Sequence, residues 1–147
     1  LWFLIWMTIL FIVVYDIRHT VIPWSASFLL MALSLCMVIL SGDDLLMRLA
    51  AGPILAFPLL FISFVSRGTW MGWGDGFFEL SLGWMLGLIA GFSALLLSIW
   101  IGAIVGVLLV LWAQLPSWRK RGFTMKSELP FAPFLAFGTL LVYFFHV

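Results

Sequence analysis

Two carboxyl groups stand where an apolar chain has little reason to keep them. Asp16 closes the first hydrophobic run, and Asp75 lies inside Gly72-Trp73-Gly74-Asp75-Gly76, ahead of the fourth. An ionisable side chain at the edge of a hydrocarbon core costs about 2–3 kcal/mol or more unless it is paired, hydrated or used. Paired carboxyls have a defined use. One, ionised, takes a proton from water while the other, protonated, polarises a scissile carbonyl. Carboxyls a few ångströms apart resist ionising together, so such a pair naturally shares one proton. The glycines at 72, 74 and 76 let the backbone approach an extended strand closely, and they predict that Asp75 is set by a loop. Alone, Asp75 reads as the cap of the following helix, and Asp16 as a hydrated helix end with Arg18 beside it. Their co-location turns two ordinary residues into a candidate site.

The elements that must position them follow from composition. With 65% hydrophobic and 9% charged residues and a mean hydropathy of +1.26, the chain presents a surface suited to lipid rather than water. The expected fold class is all-α: a polytopic integral membrane protein with about six transmembrane helices, forming a single domain over residues 1–147. At roughly 20 residues per crossing, no room is left for a soluble domain. The apolar runs are residues 1–15, 21–40, 45–65, 76–90, 92–115 and 131–147. Residues 76–115 carry one charge, Glu79. As one helix they would extend about 60 Å, twice a bilayer core, so they must turn back, and Gly91 with Ser93 is the expected turn. Nothing in the first run resembles a removable leader.

Basic residues orient the bundle. With six spans, the connections after spans one, three and five hold Arg18, Arg67, Arg119, Lys120, Arg121 and Lys126, and the opposite side holds only Arg48, beside Asp43 and Asp44. Such asymmetry marks the cytoplasmic face. The N-terminus is then outside, and Asp16 and Asp75 share the cytoplasmic boundary. Trp24, Trp70, Trp73, Trp112 and Trp118 flank the same connections, where interfacial rings are expected. Small residues recur every four positions as Gly83, Gly87 and Gly91, and again as Ala94, Ser98, Gly102 and Gly106. Two such ridges facing each other would make a tight helical pair. Pro53 and Pro58 are expected to bend span three.

Three segments carry a resemblance to a known family. Tyr15-Asp16-Ile17-Arg18-His19-Thr20-Val21-Ile22-Pro23 resembles the first aspartate motif of the type IV prepilin peptidases and archaeal preflagellin peptidases, in which a helix-ending Asp precedes a Pro seven residues on. Gly72-Trp73-Gly74-Asp75 matches their second motif, GxGD. Residues 127–136, Ser-Glu-Leu-Pro-Phe-Ala-Pro-Phe-Leu-Ala, resemble their last-helix segment. The ordered set covers nearly the whole chain. The resemblance implies a membrane aspartyl endopeptidase that removes the leader of type IV prepilin-like precursors at the cytoplasmic face of a prokaryotic plasma membrane. Asp16 and Asp75 would be catalytic. Gly72, Gly74, Gly76, Glu79, Glu128 and Pro130 would contact substrate or support the site. Two positions depart from the pattern: Trp24 follows Pro23 where relatives commonly have Asn or Asp, and Phe77 stands where many have Lys. No cysteine-rich zinc segment is present, so no N-methyltransferase activity is expected.

Other features point away from further chemistry. Cys36 is the only cysteine, which excludes an intrachain disulfide or a cysteine-ligated zinc site. No metal or organic cofactor is expected, and the dispersed basic residues suggest no nucleic-acid partner. His19 and His146 are too far apart for a ligand pair. Ser41 with Asp44 reads as a capping box, and Asp43 with Asp44 makes a poor metal site. Glu128 suits a helix start and Glu79 a boundary partner for a basic residue. Arg119-Lys120-Arg121 reads as a topology anchor. The partners expected are the membrane precursor and lipid, with the oligomeric state open. From a different class, a small transporter, channel or assembly scaffold would account for boundary aspartates equally well, but not for three ordered motifs.

Overall fold

Each apolar run bounded by polar breaks becomes helical, and the unbroken stretch 76–115 becomes two helices. The computed structural model describes residues 1–42, 45–69, 71–113 and 130–145, which form α1 (Trp2–His19), α2 (Trp24–Ser41), α3 (Leu45–Val65), α4 (Trp73–Leu86), α5 (Leu88–Ala113) and α6 (Ala132–Phe145). No strand occurs among the described residues. Asp43, Asp44, Trp70, Trp118, Arg119, Lys120, Arg121, Lys126, Glu128 and His146 lie outside them. Helices α1, α2, α3 and α5 are long and apolar enough to cross a membrane. Large apolar side chains such as Leu46, Phe64, Ile89 and Trp100 are exposed all round the bundle, a surface that water would not tolerate at this extent. Cys36 is among the exposed residues, as a lipid-facing thiol would be.

Local chemistry explains the breaks. Helix α1 ends where Thr20 turns left-handed (φ 52°), its N–H donating to the Asp16 carbonyl at 2.7 Å. Pro23, extended at φ −69°, then opens α2. Helix α2 stops at Gly42, with φ 68°, a conformation that glycine adopts without penalty.

Helix α3 runs through both Pro53 and Pro58. Pro53 has no N–H for the carbonyl of Leu49, four residues earlier, and the Trp84 indole N–H of α4 donates to that oxygen at 3.0 Å. Gly52 makes room for the indole: a Cβ built there would lie 2.6 Å from the ring. The proline's missing donor thus becomes an α3–α4 tie.

Two expectations about the fourth and fifth helices need correction. The turn between them is a single residue, Gly87 (φ 82°, ψ 179°), rather than Gly91 with Ser93. That the chain doubles back there is clear from Gly91, whose added Cβ would sit 3.6 Å from the Cα of Gly83; in an unbroken helix those residues would be about 12 Å apart. The small-residue ridges also face different neighbours. Gly83 abuts α3, where a Cβ would come 2.9 Å from the Cα of Gly52, while Gly102 meets Phe131 and Phe134 at the start of α6. Ala94 and Ser98 press on Gly138 of α6. Glycine at 83 and at 138 therefore serves close approach of α4 to α3 and of α6 to α5, and α4 meets α5 through Gly83 and Gly91 beside the turn.

The helices alternate in direction. Ile22, between α1 and α2, touches Gly74 of α4; Ser63 near the end of α3 donates to the Gly72 carbonyl; and Ala132 of α6 reaches Asp16. The ends of α1 and α3 and the starts of α2, α4 and α6 therefore gather at one end of the bundle. At the other, Trp2 and Trp6 of α1 contact Tyr143 of α6, with ring centroids 5.0 and 5.4 Å apart. Arg18 and Arg67 belong to the first end and Arg48 to the second.

Candidate active site

Asp16 continues a buried stripe. On α1 the inward residues are Ile5, Thr8, Ile9, Ile12 and then Asp16, spaced as one face of an α-helix. The carboxyl therefore enters the bundle and is only 3% exposed. This corrects the reading of a hydrated helix end. Its Oδ2 accepts the backbone N–H of Ala132 at 3.3 Å, a contact between residues 116 apart in sequence. Tyr15 and His19, on the outer side of the same turn, stack at 4.3 Å.

Asp75 is held within its own segment. Helix α4 starts at Trp73, not at residue 76, so Asp75 belongs to the first helical turn rather than to a loop. Gly72, extended at φ −67° and ψ 146°, is the cap position. The carboxyl lies over it: a Cβ at Gly72 would be 3.5 Å from Oδ2. The third helical residue thus turns toward the cap, the direction taken in a capping box. The capping reading and the site reading of Asp75 thus coexist. Helix formation wins over the glycines because tertiary contacts need them. A Cβ at Gly74 would come 2.7 Å from the Cβ of Ile22, and one at Gly76 would run into the Leu60 side chain of α3. Asp75 is 8% exposed.

The two carboxyls come together at this end of the bundle, close enough for Asp16 to act electrostatically on Asp75. Both stand on helices aimed into the same junction, Asp16 from the end of α1 and Asp75 from the start of α4. Glu79, one turn further along α4 on the same face, is more deeply enclosed at 2% exposure. No hydrogen bond or ion pair reaches its side chain among the described residues, so the boundary partnership with a basic residue does not form there. Pro130 is half-buried just ahead of α6. Among the described residues no group of three metal-binding side chains forms.

Trp24 and Phe77 form one feature. The rings of Trp24, at the start of α2, and Phe77, on the second turn of α4, meet with centroids 5.7 Å apart. They place an apolar edge beside the helix turn that carries Asp75. Sequence reasoning did not find Ile22, Leu60, Ser63 or Ala132 as neighbours of the carboxyl pair. Ala132 entered the sequence reading only as part of residues 127–136, through their resemblance to a last-helix segment. Comparison with protein-family models, curated proteins and solved structures gives no match for this chain.

Proposed function

We propose that this chain is a membrane aspartyl endopeptidase that cleaves the leader of prepilin-like precursors at the cytoplasmic face of a prokaryotic plasma membrane. The observation that supports it most is the burial of Asp16 and Asp75 at one end of the bundle, within electrostatic reach of each other although their helices are far apart in sequence. A water between them would be deprotonated by one carboxylate as it attacks the scissile carbonyl, while the other carboxyl donates its proton to the carbonyl oxygen. Collapse of the tetrahedral intermediate sends a proton to the amine nitrogen and leaves the pair with one proton again. A helical substrate has its carbonyls engaged, so the precursor must be extended at the cut. Gly72 and Trp73, exposed just ahead of Asp75, are the side from which such a strand would approach.

The test is cleavage of a prepilin-like peptide by the purified chain and by its Asp16→Asn and Asp75→Asn variants. Each substitution should abolish cleavage without unfolding the protein; wild-type protein that leaves the peptide intact would end this reading. The rival, a proton or cation carrier, draws support from Glu79, which extends the line of acids inward from Asp75. It requires flux across liposomes that Glu79→Gln stops and that no peptide influences.

A further inference from the structure

The first turn of α6 sends a backbone donor across the bundle to Asp16. Four N–H groups at a helix start have no partner inside the helix. Here Pro133 has none to offer, and those of Phe134 and Leu135 both turn back to the Phe131 carbonyl, at 3.0 and 3.2 Å. Ala132, the first helical residue, is fully buried and points its N–H at Asp16 Oδ2. Asp16 needs such a partner. It lies in the last turn of α1, the end at which a helix disfavours negative charge, whereas the N-terminal end of α6 favours it.

We infer that Ala132 is a positioning residue for the proposed peptidase: its N–H clamps one oxygen of Asp16, fixing the carboxyl plane and leaving Oδ1 to hold the attacking water. Residues 130–133, Pro-Phe-Ala-Pro, thereby belong to the site through backbone and not side chain. Pro130 and Pro133 carry no N–H, and among the described residues Ala132 is the backbone donor that reaches the Asp16 carboxyl. This inference rests on the peptidase reading.

The first position of a helix is where proline is best tolerated, so Ala132→Pro removes the donor at small cost to the helix, and Ala132→Gly keeps the donor while removing the methyl. With the full chain and a prepilin-like peptide, Ala132→Gly should stay within about threefold of wild-type kcat. Ala132→Pro should lose about 10²-fold in kcat with KM unchanged, as expected when a reacting group is misplaced by about 1 Å. Equal losses in both variants, a loss confined to KM, or full activity of Ala132→Pro would overturn it. Should Ala132→Pro not fold, 15N-alanine labelling decides: the Ala132 amide proton should shift with pH in wild-type protein and stay flat in Asp16→Asn. An amide insensitive to pH in wild-type protein would overturn the clamp. Failure of wild-type protein to cleave the peptide would sink the peptidase reading instead, and the amide titration would still report whether Ala132 holds Asp16.

Discussion

Asp75 and Asp16 lie at one end of the bundle but are supported in opposite ways. Asp75 sits in the first turn of its own helix, where the backbone favours an anion, and its cap, Gly72, is three residues away. Asp16 sits in the last turn of its helix and draws on an N–H from α6. One half of the pair is thus a local motif, and the other is assembled only when the sixth helix docks. Damage to α4's first turn should stay local. Damage to the α5–α6 contact should travel to the site through Asp16 alone.

That contrast can be broken first at the carboxyls. Asp16→Asn and Asp75→Asn should each lower peptide cleavage by at least about 10²–10⁴-fold, with thermal unfolding in detergent little changed; one variant retaining activity would show that the pair does not act as a pair. Next come the glycines that seat each half. Gly74→Val drives a branched side chain into Ile22 and should cost about tenfold or more in rate, read in the same assay. Gly138→Ala presses on Ser98 and on the Ala94 carbonyl, which an added Cβ would approach to 2.5 Å. It should destabilise by about 1–3 kcal/mol in denaturant titrations and also slow cleavage, because α6 carries the Asp16 donor. Trp84→Phe leaves the Leu49 carbonyl without its indole donor and should cost about 1–3 kcal/mol of stability, with kcat near wild type, since this tie touches neither half. Smallest is Gly102→Ala, whose new methyl would meet Phe131 and Phe134 at ordinary distances of 3.5–3.7 Å; a change within about 0.5 kcal/mol is expected by thermal unfolding.

Much of the frame was readable before any coordinates. The count of six helices followed from bilayer thickness applied to residues 76–115, and α3 occupies the run expected for it because polar breaks stand close on both sides. The gathering of Asp16 and Asp75 at one end followed from alternation alone. The position of the turn was not readable, because Gly83, Gly87 and Gly91 are equivalent in pattern. What separates them is tertiary: Gly83 lies under Gly52 and Gly91 against Leu55, which leaves Gly87 free to take a positive φ. Nor could spacing say which helix each small-residue ridge would meet. Asp75 entered a helix rather than a loop because its neighbouring glycines are filled by Ile22 and Leu60 from other segments. The Ala132 contact had no local signal, as its partner is 116 residues away.

The unequal lengths of the helices have a consequence for the membrane itself. Helix α5 has 26 residues and α4 and α6 have 14 each, or about 39 Å against about 21 Å. Gly102 is level with the beginning of α6, so the later part of α5 rises past it, and no residue from Ile99 to Trp112 is buried. A bilayer wrapped around this molecule must match a tall apolar wall on one flank and a low one on the other. Lipid meets such a step by thinning, at fractions of a kcal/mol per ångström.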